Sequence, residues 1–112
     1  DMAIYSNLTV DQGSHFLAYV DVTDSSGNAL NLNGYTVAGQ IRKTYSSLTA
    51  VSFSASVSNA LGGTISLGLG DTVTNAMKPG RYVYDVEILT SSGTRTRVLE
   101  GQVEVTPGVT QV

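Results

Sequence analysis

At 112 residues the chain has room for one domain with one sizeable core, not two. It is 41% hydrophobic but only 13% charged, so its polarity rests on Ser, Thr, Asn and Gln, and a net charge of -3 with six Lys and Arg opposes phosphate-backbone binding. Zero cysteines exclude disulfides, thiolate catalysis and thiolate metal sites and tilt towards a reducing cytosol, while no apolar run approaches the roughly 20 residues that span a bilayer.

Alternating segments recur at the spacing of a sandwich or barrel. The first predicted strand is Ala3 to Val10, and Asp11-Gln12-Gly13 bends the chain into a second, Ser14 to Thr23. There Phe16, Ala18, Val20 and Val22 share one face and His15, Leu17, Tyr19 and Asp21 the other. Asp24-Ser25-Ser26-Gly27-Asn28 has the Asx and glycine chemistry of a tight reversal, and Asn31-Leu32-Asn33-Gly34 is a second turn. Tyr35 to Thr44 is the third strand, with Val37, Gly39 and Ile41 alternating against Thr36, Ala38, Gln40 and Arg42. The fourth, Ala50 to Ser58, alternates serine with Val51, Phe53, Ala55 and Val57.

The fifth strand, Thr64 to Leu69, puts Ile65, Leu67 and Leu69 in register, and Gly68 marks a bulge or a close neighbour. Asp71 to Met77 is the one helical candidate: Asp71 or Thr72 caps a single turn, Val73, Ala76 and Met77 face inward, and Pro79-Gly80 ends it. In the sixth strand Tyr82, Tyr84, Val86 and Ile88 share one face while Arg81, Asp85 and Glu87 share the other, one buried side and one wet side. Ser91-Ser92-Gly93 leads to a long last strand, Thr94 to Thr106, whose Leu99, Gly101, Val103 and Val105 lie together. Pro107 stops it. Residues 1–107 are thus expected to form a single domain, with 108–112 as a C-terminal tail.

The Gly80-Arg81-Tyr82-Val83-Tyr84 sequence after a turn resembles the corner before the sixth strand of an immunoglobulin-type sandwich. The resemblance makes Tyr82 the corner, its hydroxyl tied to nearby backbone, and puts Tyr84 where antibody domains have a disulfide cysteine. The expected fold is all-β: an immunoglobulin-like antiparallel β-sandwich of about seven strands with one short helical turn before the sixth. Pro79, Gly80, Tyr82, Tyr84, Gly34 and Tyr35 are its structural markers.

Candidate chemistry is sparse. His15 is the sole histidine and has no partner in a readable motif, which fits a solvated strand face better than a triad or metal cage. Asp85, Glu87, Glu100 and Glu104 could approach one another as paired carboxylates do in glycosidases, but outward-facing acids interleaved with arginines on neighbouring strands more often form cross-strand ion pairs. Asp21, Asp24 and Asn28 offer hard oxygens for calcium, although their spacing fits no EF-hand loop and Asx turns explain them. Asn7-Leu8-Thr9 fits a glycosylation sequon, and nothing in the spacing of Lys43 or Lys78 supports an isopeptide crosslink. No catalytic residue, metal or cofactor is expected.

Two longer stretches carry a further resemblance. Asp11-Gln12-Gly13-Ser14, Val20 through Val37 with Leu32-Asn33-Gly34-Tyr35, and Gln40-Ile41-Arg42-Lys43 resemble small tailed-phage virion modules, a plan shared by the N-terminal domains of phage baseplate upper proteins. Leu67 through Val105, with Lys78 to Ile88 and Thr94 to Gly101, is similar to structural proteins of marine cyanophages. The resemblance implies a non-enzymatic virion structural or assembly protein: a head decoration, a neck, or a baseplate or tail attachment module. It would assemble in the host cytoplasm, with other virion proteins and copies of itself as partners, and without nucleic acid or membrane. The alternative is a carbohydrate-binding or adhesin module stacking a glycan on Tyr5, Tyr19, Tyr35 or Tyr45, weakened by the lack of Trp.

Overall fold

The computed structural model describes residues 3–110. These form β1 (Ile4–Tyr5), β2 (Leu8–Asp11), β3 (Phe16–Asp21), β4 (Thr36–Arg42), β5 (Val51–Ser52), β6 (Ser54–Asn59), β7 (Thr64–Leu69), α1 (Asp71–Ala76), β8 (Gly80–Leu89) and β9 (Arg95–Thr106). The fold is an all-β sandwich. A six-stranded sheet has the order β1-β9-β8-β4-β5, with β2 also on β9, and faces a three-stranded sheet, β3-β7-β6. Pairing is antiparallel except that β1 and β2 run parallel to β9.

The core lies where the inward residues of both sheets meet. Ile65 and Leu67 of β7, Val86 and Ile88 of β8, and Leu99 and Val103 of β9 are all buried. Their alternation along each strand is the period-two pattern of a half-buried sheet, and it survives a bulge in β9. Val86 pairs with Leu99 while Glu87 pairs with Arg97, so Val98 is the extra residue. Without it, strict alternation would put Arg95 and Arg97 on the same side as Leu99; with it, the arginines stay outside and Val98 and Leu99 are both buried.

Two expected strands are each divided. The stretch predicted as one strand from Ala3 to Val10 breaks at Ser6-Asn7, where it crosses β9 over Gly101. A Cβ at Gly101 would overlap the Ser6 carbonyl. The Asn7 side chain accepts from the Gln102 amide at 3.0 Å, and the Ser6 amide donates to the Glu100 carbonyl at 2.8 Å. The stretch predicted from Ala50 to Ser58 switches sheets at Phe53: β5 pairs with β4, and β6 pairs with β7. Its ring is buried between the sheets, tilted against Phe16 at 6.5 Å and edge-on to Tyr84 at 5.9 Å. Gly39 makes the slot, since a Cβ there would come within 3.0 Å of the Phe53 ring.

The helical turn forms as expected but is oriented differently. Thr74 and Met77 are buried, whereas Val73 and Ala76 are exposed. Thr74 faces inward because its hydroxyl has partners there: it donates to the Ser14 carbonyl at 2.8 Å and accepts from the Gly13 amide at 3.1 Å. Gly70 occupies the N-cap, and the Asp71 carboxylate accepts from the Thr72 amide at 2.9 Å. Gly68 stands in regular register between Leu17 and Ser54, the close-neighbour alternative rather than a bulge. The tail leaves β9 at Pro107, and the Gly108 amide donates to the Gln12 side chain at 3.3 Å.

Candidate functional site

The six structural markers occupy three separate places. At the corner after Pro79-Gly80, the Tyr82 hydroxyl donates to the Lys78 carbonyl at 2.6 Å. Lys43 Nζ sits 4.8 Å from the centre of the Tyr82 ring and donates to the Arg81 carbonyl at 2.7 Å, so its charge serves the corner. In the core, the Tyr84 hydroxyl donates to the Ser6 carbonyl at 2.6 Å and ties β8 to the β1–β2 junction. Burial pushes the Tyr84 hydroxyl up from the ordinary 10.0 to about 12, opposed by its bond to Ser6 and assisted by Tyr5. In the turn before β4, Leu32 is buried, Gly34 takes φ +81°, and the Tyr35 amide donates to the Leu32 carbonyl at 3.0 Å.

Most of the candidate chemical residues are dispersed too, although Asp85 and Glu100 are brought together as direct partners across β8 and β9. His15 is exposed, ahead of β3. Three carboxylates face arginines: Arg95 reaches Glu87 at 3.3 Å, and Arg97 reaches Asp85 at 3.2 Å and Glu100 at 3.4 Å. Glu104 pairs across the sheet with Arg81 in backbone register. Asp24 accepts from the Ser26 and Asn28 amides at 2.9 and 3.0 Å, an Asx turn, while Asp21 accepts from the Thr64 hydroxyl at 2.9 Å. Among the described residues no group of three or more His, Cys, Asp or Glu is placed to hold a metal ion.

The four tyrosines named for glycan stacking do not form a platform. Tyr5 is exposed on β1, Tyr19 on β3 and Tyr45 in the loop after β4, while Tyr35 is half-buried against the core. Tyr45, 87% exposed, borders a cleft of about 260 Å³ with Gln40, Arg42, Asp85, Arg97 and Glu100.

What the structure does bring together is a contrast between the two outer faces. The six-stranded sheet carries on its outer side all three ion pairs found among the described residues. On the three-stranded sheet the outward rows run Leu17, Gly68, Ser54 and then Tyr19, Ser66, Ser56. Asp21 is the only charged residue in β3, β6 or β7, and Leu17 and Tyr19 are 53% and 63% exposed. The Ser56 and Ser66 hydroxyls satisfy each other at 2.8 Å. Ser52, which continues the serine alternation of Ser54 and Ser56, stands on β5 of the other sheet. Alternation could not separate it, because the same pattern continues through the switch at Phe53.

No protein-family model and no curated protein matches the chain. Among solved structures it is similar to part of an internalin-like protein of Listeria monocytogenes, at 18% identity and a TM-score of 0.49, over 93% of this chain and 28% of that one. It is also similar to part of a family 123 glycoside hydrolase from Clostridium perfringens, at 13% identity and a TM-score of 0.42, over 94% of this chain and 23% of that one. The chain thus spans under a third of the length of either.

Proposed function

We propose that the chain is a non-enzymatic virion structural or assembly module, a head decoration, neck, or baseplate or tail attachment part, acting through protein–protein contacts. The observation that carries this reading is the outer face of the three-stranded sheet, which bears a single charge, Asp21, and where Leu17 and Tyr19 stand exposed beside rows of small hydroxyls. Covering such a face removes apolar area from water and desolvates a single charge, Asp21, whereas covering the other face would strip several ion-paired groups. The phage resemblance of the sequence supplies the setting: assembly in the host cytoplasm, with other virion proteins and copies of the chain as partners. The non-enzymatic part rests on the exposed, isolated position of His15 and on the carboxylates facing arginines. Mass spectrometry of purified particles tests the reading. The chain is expected at a stoichiometric level, and Tyr19→Asp should reduce its incorporation; particles devoid of the chain would refute it.

A second reading, a carbohydrate-binding module, is favoured by Tyr45 beside the polar cleft of Gln40, Asp85 and Glu100. Saturable quenching of tyrosine fluorescence by an oligosaccharide, lost in Tyr45→Ala, would support it. A flat titration across a glycan panel would set it aside.

A further inference from the structure

The open edge of β3 carries no proline, no bulge and no inward-pointing charge, devices that keep sheet edges from pairing. Edges are blunted by brevity, bulges, proline or inward charge. Edge strand β5 has two residues, and β6 carries a register shift between Val57 and Asn59. β3 instead runs six residues in unbroken register with β7, without proline, its one charge at the last position. Among the described residues no strand pairs with its outer side, and the N-terminal strands β1 and β2 pair with β9 in the other sheet. Core-facing Phe16, Ala18 and Val20 consequently stay partly exposed, while Ile65, Leu67 and Leu69 behind them on β7 are buried.

The backbone of this edge is presented for pairing. The Val22 amide donates towards β7, to the Gly63 carbonyl at 2.8 Å. With a period of two, Phe16, Ala18 and Val20 also point that way, so the N–H and C=O groups of Leu17, Tyr19 and Asp21 point outward.

We propose that this edge is completed by β3 of a second copy, antiparallel about a two-fold axis through Ala18, which would fuse the two three-stranded sheets into one of six strands. The proposal deepens the docking reading and rests on it. Self-complementarity selects the occupant and the register. With Ala18 opposite its own copy, Leu17 faces Tyr19 and His15 faces Asp21, twice each by symmetry. Phe16 then faces Val20 on the core side, where both gain burial. A shift of the axis to Tyr19 would set Leu17 against Asp21; a shift to Leu17 would leave Asp21 facing Gly13.

The absence of cysteine makes the test direct. On the proposed axis Ala18 forms a non-hydrogen-bonded pair, with Cα atoms about 4.5 Å apart, within the range a disulfide spans. Under copper–phenanthroline oxidation the full chain carrying Ala18→Cys should become a covalent dimer, while Ser58→Cys, on the far edge of the same sheet, stays monomeric. Sedimentation should show the unsubstituted chain as a concentration-dependent dimer and Leu17→Lys with Tyr19→Lys, at exposed positions the fold can spare, as a monomer. His15→Asp should weaken the dimer, and His15→Asp with Asp21→His should restore it. Cross-linking through Ser58 instead of Ala18 would overturn the proposed edge. An unsubstituted chain that is monomeric at every accessible concentration would overturn the second copy, and docking would still stand if that monomer is found in particles.

Discussion

Removing Tyr84 strikes two things at once, a ring packed edge-on against Phe53 and a hydroxyl that fastens the β1–β2 junction. Tyr84→Ala should cost about 3–5 kcal/mol for the lost ring and the cavity it leaves, a large part of the roughly 5–15 kcal/mol that stabilises a domain. Tyr84→Phe keeps the ring and loses one hydrogen bond, net about 0.5–1.5 kcal/mol. In urea, at a typical slope of about 2 kcal/mol per molar, the first should lower the midpoint by about 2 M and the second by about 0.5 M, read by circular dichroism. The hydroxyl adds a pH signature. Its proton is held more tightly in the folded chain, with the value raised from 10.0 to about 12, so its contribution is complete below pH 10 and is lost as pH rises towards 12. That decline should be reduced in Tyr84→Phe. Equal midpoints for the Ala and Phe variants would refute the ring's place in the core, and an unchanged alkaline limb in Tyr84→Phe would refute its buried hydroxyl.

Gly101→Ala should destabilise by about 1–3 kcal/mol, because its Cβ displaces the Ser6 carbonyl, and hydrogen exchange should accelerate at Ser6 and Gln102 before the rest of β9. Thr74→Val should cost about 1–3 kcal/mol by leaving the Ser14 carbonyl and Gly13 amide unpartnered, and Thr74→Ser should recover most of it in thermal melts. Arg97→Ala removes two exposed ion pairs and should shift stability by no more than about 1 kcal/mol, checked in urea at low and high salt; a larger loss would mean that Asp85 and Glu100 depend on it.

The strands were readable wherever one face is dry and the other wet, as in β3 and β8, whose alternation matches their observed burial. What escaped depends on residues distant in the chain. The division at Ser6-Asn7 needs Gly101 beneath it, and the sheet switch at Phe53 needs the slot at Gly39 and the rings of Phe16 and Tyr84. Six residues are too few for helical periodicity to speak, so hydropathy favours Val73 and Ala76 as the inward face over Thr74, a polar residue turned inward by its hydrogen bonds. The serine stripe of β6 was visible in the sequence. Its alignment through β7 with Leu17 and Tyr19 was not, because pairing between β3 and β7 spans more than forty residues of chain.

We propose the outer face of β3, β7 and β6 as a contact surface in an assembled particle. Cryo-electron microscopy of purified particles tests it most directly. The map should contain the sandwich with Leu17 and Tyr19 covered by a neighbouring protein and the ion pairs of Arg95 and Arg97 left towards solvent. A particle without this sandwich, or one in which the Leu17–Tyr19 face is bare and the ion-paired face is buried, would contradict it.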